Sequence, residues 1–397
     1  MNLDASQQAA VTEALSPGDR IITGGAGTGK TTIIKEIVDR LEGRAILVAP
    51  TGKAAARLRE ATGFDASTIH RELMWDSAKF NRTAPFTVPV ICDESSMVDS
   101  WLMSKVLEYT PPKLILVGDA AQLPPVGKGQ PFHDLVKLRP DRVSTLTTCH
   151  RAKGAVHIAA QAIRDGRPPA KRSESGDEKW LMYDTGGPEQ TVPVLRSWVE
   201  KGQFDPEQDI ILAPQYGSSD EAEQVDGGIH ALNRTVKAIL NPAQDGEKFT
   251  TGDRIIINKN FGSVDLWNGD LGTITDIDAK GMPYVILDRD KAKREDLDQP
   301  KDRLLTKEQL KEMAHAYALS VHKSQGSQFR RVFFVVFKRH HMMLSRALIY
   351  TAVTRAREGC IVMGELGSFY RGLNIIEHKN TVLQYLAQQD TWGTLKA

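Results

Sequence analysis

The sequence predicts an α/β protein built on parallel sheets in more than one domain, and three observations carry that expectation. Up to about residue 145, short apolar runs alternate with helical patterns, the texture of a parallel sheet covered by helices. A glycine-rich phosphate-loop signature sits between the first apolar run and the first helical pattern. At 397 residues the chain exceeds the size at which one core keeps growing, so roughly two or three domains are expected.

In chain order, strands are expected at Arg20–Thr23, Ala45–Ala49, Pro89–Cys92 and Leu114–Val117. Between the first two, Ile33, Ile34, Ile37, Val38 and Leu41 share one face of a helix that starts at Lys30 and stops at Gly43. Thr51 is placed to cap a second helix. Asp165–Lys179, reading DGRPPAKRSESGDEK, is rich in Pro, Gly and charge and is expected to be an exposed loop. A new αβ pattern follows, with a strand at Asp209–Pro214 and a helix at Ile229–Leu240. From Gly252 to Asp288 the short runs RIIIN, GTITDI and YVILD, broken by NGD and KGMP turns, suggest a small antiparallel barrel inserted in the second αβ domain. The charged stretch Arg289–Arg303 leads back out.

Composition excludes several classes. With 41% hydrophobic and 25% charged residues, the chain is neither disordered nor fibrous. Lys+Arg 51 against Asp+Glu 50 leaves a net charge of +1, so any nucleic-acid groove must be a local patch. Cys92, Cys149 and Cys360 lie far apart and form no CxxC pair, which argues against zinc and against a disulfide framework. The start, MNLDASQQAAV, lacks a basic and apolar leader, and VFFVVF at 332–337 is too short to span a bilayer. A cytoplasmic protein with no membrane partner is expected, in a bacterial or phage-infected cell.

Gly24 to Thr31 reads GGAGTGKT, the pattern G-x-x-x-x-G-K-[ST]. Backbone N–H groups from Gly25, Ala26, Gly27, Thr28 and Gly29 through Thr32 would wrap the phosphates of ATP. Lys30 would supply a charge for the β- and γ-phosphates, and the Thr31 hydroxyl would face Mg²⁺. Asp93 and Glu94 follow the strand-like PVIC, so both acids leave the C-terminal edge of the sheet beside that loop. Adjacent acids there can divide the labour, Asp93 holding Mg²⁺ and Glu94 deprotonating the attacking water.

With these motifs in place, the chain resembles superfamily 1B DNA helicases, and among them the RecD-like and phage Dda-like branch, in the family's order and over nearly the whole length. Leu3 and Gln7 resemble the Q motif, APTGKAA at 49–55 motif Ia, and STIH at 67–70 motif Ib. DESSMVD at 93–99 is similar to motif II, LVGDAAQLPPVGKG at 116–129 to motif III, and CHRAKG at 149–154 to motif IV. VHKSQGSQF at 321–329 and YTAVTRAR at 350–357 resemble motifs V and VI.

The resemblance implies two RecA-like P-loop domains: residues 1–145 as the first, with a hairpin insert at about 71–88, and 146–245 plus 304–397 as the second, with an SH3-like insert at 246–303. It assigns adenine reading to Gln7, γ-phosphate sensing to Gln122, and arginine fingers to Arg151 and Arg355. Guanidinium groups there would neutralise charge on the transferring phosphoryl. For single-stranded DNA it points to Pro50, Thr51, Thr68 and His70, and to Ser320, His322, Lys323 and Ser324. Trp75, Phe80 and Phe86 fall in the hairpin that acts in this branch as a strand-splitting pin at a duplex junction. Phe261 and Trp267 of the second insert read as core. Two positions depart from the family pattern. Ser320 stands where threonine is usual, keeping the hydroxyl, and Gln328 stands where glutamate is common, which puts a ribose contact in doubt.

The expected activity is ATP-dependent 5′→3′ translocation on single-stranded DNA with unwinding, by a monomer accompanied by single-strand-binding or replication proteins. Polarity rests on the branch resemblance alone. Two other readings stay open: a translocase that displaces proteins without unwinding, and an ATP-switched nucleic-acid-binding or loading subunit of a larger complex.

Overall fold

The computed structural model describes residues 3–76, 78–150, 154–176, 178–217, 227–242, 248–291, 302–377, 379 and 381. The chain divides into two compact units, Met1–Lys153 with Ile376–Ala397, and Gly154–Ile375.

In the first unit, strands β1 (Arg20–Gly24), β2 (Ile46–Ala49), β3 (Ala66–Thr68), β4 (Val90–Cys92), β5 (Leu114–Gly118) and β6 (Val143–Leu146) form one sheet in the order β3-β2-β4-β5-β1-β6. Every pairing is parallel. The central strands are buried on both sides, which is why they read as unbroken apolar runs. The helix Lys30–Arg40 buries Ile33, Ile34, Ile37 and Val38 on one face of the sheet, together with Ala10, Val11 and Leu58. Its last helical residue is Arg40, short of the stop expected at Gly43, where a φ of +75° suits glycine and turns the chain toward β2. The other face carries Ile69, Leu73, Phe86, Leu102, Val106 and Phe132. Because β1 lies next to β5, and β5 next to β4, the loops leaving the C-terminal ends of these three strands share one edge.

The second unit opens with β7 (Arg172–Ser175), β8 (Glu178–Asp184) and β9 (Ile210–Ala213). It then inserts β10 (Arg254–Ile257), β11 (Leu271–Ile277), β12 (Pro283–Leu287), β13 (Arg303–Leu304) and β14 (Met313–His315), and finishes with β15 (Ala318–Ser320), β16 (Phe329–Val336) and β17 (Ala356–Gly364). Its main sheet has the order β15-β9-β16-β17-β8-β7, parallel except for the antiparallel β7–β8 pair.

That pair corrects the loop expected over Asp165–Lys179. Arg172–Ser175 is an edge strand, polar and largely exposed, and its charged side chains mask strand character in the sequence while guarding the edge.

The insert forms a separate antiparallel sheet, β13-β12-β11-β10-β14, around Ile255, Ile257, Leu266, Ile274, Val285, Leu287 and Met313. Its edges among the described strands are β13 and β14, so strand pairing does not establish the closed SH3-like barrel that was expected. The sheet also runs on to His315, beyond residue 303, because β14 pairs with β10. A buried polar cluster roots it in the second unit. The Asp253 carboxylate accepts from Lys237 Nζ at 2.5 Å, Tyr317 OH at 2.9 Å and Asn241 Nδ2 at 2.9 Å, and faces His315 Nε2 at 3.3 Å. These hydrogen bonds outweigh burial and hold that carboxyl far below the usual carboxylate range. No helix among the described residues is long and apolar enough to cross a membrane.

Candidate nucleotide and nucleic-acid site

The phosphate loop of the first unit is shaped by glycine. Gly27 and Gly29 hold φ of +79° and +80°, the left-handed region that side chains disfavour. Gly29 leads directly into the helix that begins at Lys30, so the free N–H groups of that helix face the loop. Lys30 Nζ lies across the loop and donates to the carbonyls of Gly24 at 2.8 Å and Gly25 at 2.9 Å. Thr28 Oγ1 donates to Gly25 O at 2.9 Å, which tightens the turn. Thr31 and Thr32 open the helix and are partly accessible.

Gln7 braces this loop. Its Nε2 donates to Thr28 O at 3.1 Å, and its Oε1 accepts the Asp4 N–H at 3.1 Å in a capping box. The side chain is 3% exposed, and one hydrogen of Nε2 and one lone pair of Oε1 are taken by protein, which leaves one of each for the adenine contact expected of it. Asp4 also meets His150 Nε2 at 2.6 Å, and hydrogen bonds from Ser6, Gln7 and His150 overcome burial to keep its carboxyl at about 2. His150 N donates to Gly27 O at 2.9 Å, so motif IV begins against the loop. Arg151, the expected finger that follows, lies outside the described residues.

Asp93 and Glu94 leave β4 as expected. Asp93 is buried; the loss of water, reinforced by the neighbouring Glu94 charge, pushes its carboxyl up to about 6 against the pull of Lys30 and Arg57. The Glu94 N–H donates to Asp93 Oδ1 at 2.9 Å, and Glu94 itself holds a left-handed φ of +50°. A non-glycine residue in that region stores strain, a condition that recurs at functional sites. Gln122, in the loop after β5, is buried; its Nε2 reaches Asp119 Oδ2 at 3.5 Å, and its carbonyl meets His133 Nε2 at 3.2 Å. The phosphate loop, the acid pair and the Gln122 loop therefore converge on one sheet edge.

The proposed DNA residues of this unit are helix starts. Thr51 Oγ1 accepts from Ala54 N at 3.2 Å and Thr68 Oγ1 from Arg71 N at 3.1 Å. Capping uses an oxygen lone pair of each hydroxyl and does not use its hydrogen. Pro50 precedes the first cap. His70 sits among aromatic rings, and burial lowers its pKa against the opposing charge of Asp99. Among the pin residues, Trp75 and Phe80 face each other across a tight turn, with ring centroids 4.7 Å apart. Phe86 is corrected out of that set. It is 5% exposed in the core of the first unit, against Tyr109 and under the Arg82 guanidinium at 4.0 Å, where no base can reach it.

In the second unit, Ser320 ends β15, and its Oγ accepts the Lys323 N–H at 3.2 Å. Ser324 is buried and donates to Val321 O at 2.7 Å, so it shapes the turn; His322 is partly accessible between them. Lys323 Nζ donates to Asn258 Oδ1 of the inserted sheet and lies 5.7 Å from the Tyr216 ring centroid. Sequence reasoning passed over Asn258 and Tyr216, whose only signal is spatial. Arg355 is 3% exposed; its guanidinium donates to Thr351 O, Ser327 O and Thr354 Oγ1 at 3.1, 3.2 and 3.2 Å.

Two sheets of this kind, one carrying a phosphate loop with a paired-acid motif at its edge, define the class of P-loop nucleotide-binding folds. Residues 2–182 match the AAA domain family, and 315–363 match the UvrD-like helicase C-terminal domain. The chain is 33% identical over 373 residues to the ATP-dependent RecD2 DNA helicase of Deinococcus radiodurans, covering 89% of this chain and 48% of that protein. It is 32% identical over 410 residues to the RecBCD enzyme subunit RecD of Mycolicibacterium smegmatis, covering 90% and 70%. The chain thus spans about half of the first of these relatives. In fold it is similar to Pif1 helicase at forked duplex DNA (TM-score 0.56, 18% identity, 100% and 98% covered). It is also similar to Bacteroides Pif1 with ADP-AlF3 and single-stranded DNA (TM-score 0.52, 18% identity, 100% and 98% covered). The chain belongs to the RecD family of superfamily 1B helicases.

Proposed function

We propose that this chain is an ATP-driven motor that moves 5′→3′ along single-stranded DNA and unwinds duplex ahead of it. The observation that carries the ATP-driven part of this is the convergence of Lys30, the Asp93–Glu94 pair and the Gln122 loop on one edge of a parallel sheet, while the DNA track and the 5′→3′ direction rest on the family. In this reading Lys30 releases the loop carbonyls to bind β- and γ-phosphate oxygens, and Glu94 accepts the proton of the attacking water. Gln122 and the finger arginines Arg151 and Arg355 contact the γ-phosphoryl, so that hydrolysis follows DNA-dependent closure.

The residues present fit Mg²⁺. Asp93 is a buried carboxylate beside a second acid, and Thr31 brings a hydroxyl at the start of the helix after the phosphate loop, so the donors on offer are a few oxygens. That matches an ion that keeps its waters and phosphate oxygens and takes few protein ligands. Thr31 and Asp93 would hold it. Held there, Mg²⁺ would supply positive charge to offset that of the ATP phosphates.

Thr51, Thr68 and His70, with Pro50 beside them, and Ser320, His322, Lys323 and Ser324, would supply phosphate and sugar contacts. The cytoplasm is the proposed compartment and duplex junctions the proposed substrate. Because one relative is named a subunit of the RecBCD enzyme, a second reading places the chain within a larger assembly. The test is ATP-dependent unwinding of two partial duplexes, one 5′-tailed and one 3′-tailed, with size-exclusion chromatography of the preparation. Unwinding only of the 5′-tailed substrate by a monomer is expected. Activity only on the 3′-tailed duplex would overturn the polarity, and ATP turnover without unwinding would favour the other readings.

A further inference from the structure

Two exposed rings of the first unit, Trp101 and Trp75, cluster with the partly buried Phe80 and His70, and Trp101 lies outside the motifs named above. Trp101 is 47% exposed, and its centroid lies 5.4 Å from Phe80, 5.9 Å from Trp75 and 6.4 Å from His70. Trp75 is 36% exposed, and it stands 6.1 Å from His70, edge to face. The turn that presents these rings is built for display: Met74 holds a φ of +58°, and the Asp76 carboxylate accepts the N–H groups of Ala78 and Lys79, at 2.9 and 2.8 Å. Large aromatics that face water in one contiguous patch suit a binding surface. Their neighbours in sequence, Arg71 and Lys79, are exposed cations.

Trp101 also has an unusual mounting. It lies in the first turn of the helix Ser100–Glu108, whose cap Asp99 accepts the Leu102 N–H at 2.8 Å. The loop that carries Gln122 runs on to clasp this helix start. Ser100 N donates to Lys128 O at 2.9 Å, and a Cβ on Gly127 or Gly129 would lie 1.9 Å from Asp99 Oδ2 or Ser100 Oγ. The glycines allow contact that any side chain would block.

We propose that Trp101 is a DNA-binding residue that completes, with Trp75, Phe80 and His70, a platform on which nucleobases of the single strand stack. The proposal rests on the helicase reading and deepens it. DNA is favoured as the occupant because the cluster is continuous, through His70, with the Thr68–His70 segment assigned to phosphate contact. Flanking cations suit a polyanion, and stacking accepts any base. The mounting of Trp101 joins that platform to the Gln122 loop, so base occupancy and the γ-phosphate sensor share one helix start.

The experiment titrates the full chain with two fluorescent oligonucleotides of about 12 nucleotides, within the usual site size. One is oligothymidylate and the other carries abasic residues throughout. Trp101→Ala is expected to weaken oligothymidylate binding about 5- to 100-fold, the scale of one lost stack, with little change on the abasic strand. Trp101→Phe should recover most of the loss. Equal affinity of Trp101→Ala and wild type for oligothymidylate would overturn the proposal and leave the rings as a protein-docking patch. Equal losses on both strands would overturn it in favour of a structural role. Wild type that binds neither strand at low salt would instead bring down the helicase reading itself, and the proposal with it.

Discussion

Gln7 and Gly29 are packed so closely that a Cβ on Gly29 would lie 2.4 Å from Gln7 Nε2. The relationship ties the first helix of the chain to the end of the phosphate loop, and Gly29 also carries a φ of +80°. Gly29→Ala should therefore lower the melting temperature and nearly abolish ATP binding, with about 1–2 kcal/mol from the backbone alone. Adding Gln7→Ala should relieve the collision but not the backbone cost. A thermal-melt double-mutant cycle checks this, and strictly additive effects would show that the contact carries no energy.

Phe86 and Trp75 should separate folding from unwinding. Phe86→Ala opens a cavity in the first unit and should cost about 3–5 kcal/mol of stability. Trp75→Ala, at an exposed position, should leave the melting temperature nearly unchanged while reducing unwinding of a 5′-tailed duplex. Equal melting temperatures for the two variants would contradict the burial of Phe86.

Glu94→Gln should bind ATP but fail to hydrolyse it, whereas Lys30→Ala should lose turnover altogether. Nucleotide affinity and single-turnover hydrolysis distinguish the two, and near wild-type turnover by Glu94→Gln would reassign the general base.

Arg355→Ala should lower ATP hydrolysis by about 10³-fold, the scale of a finger residue. Because Arg355 donates to Thr351 and Ser327 carbonyls, some stability should go with it. A variant that hydrolyses normally yet fails to bind DNA would move Arg355 from the nucleotide to the track.

Asp253 should make the second unit sensitive to acid. Its folded-state pKa is depressed, so its contribution is present above the ordinary carboxylate range near 4 and is lost as pH falls through the folded value. Asp253→Asn should melt lower than wild type at pH 7, where Lys237 and His315 face the carboxylate. The gap should narrow progressively as the pH drops below about 4. A gap independent of pH would mean that the charge at Asp253 contributes nothing.

What the sequence could reveal depended on how local the signal was. The phosphate loop, the acid pair and the helix from Lys30 are short contiguous patterns whose chemistry follows from adjacency, and they stand where the spacing placed them. Arg172–Ser175 hid as a strand because an exposed edge needs no apolar alternation. Phe86 and Trp101 were indistinguishable as letters: one is a core ring and the other faces water, a difference set by neighbours far along the chain. The engagement of both ends of the Gln7 amide, and the Asp253 cluster reaching from Lys237 to Tyr317, are likewise products of tertiary proximity.

The left-handed backbone of Glu94 sets folding against the chemistry proposed for it. Glycine and asparagine relax most easily at that φ, and neither carries a carboxylate. Either substitution would ease the backbone while removing the proposed proton acceptor, so a variant there that melts higher and turns over less is the trade this position embodies.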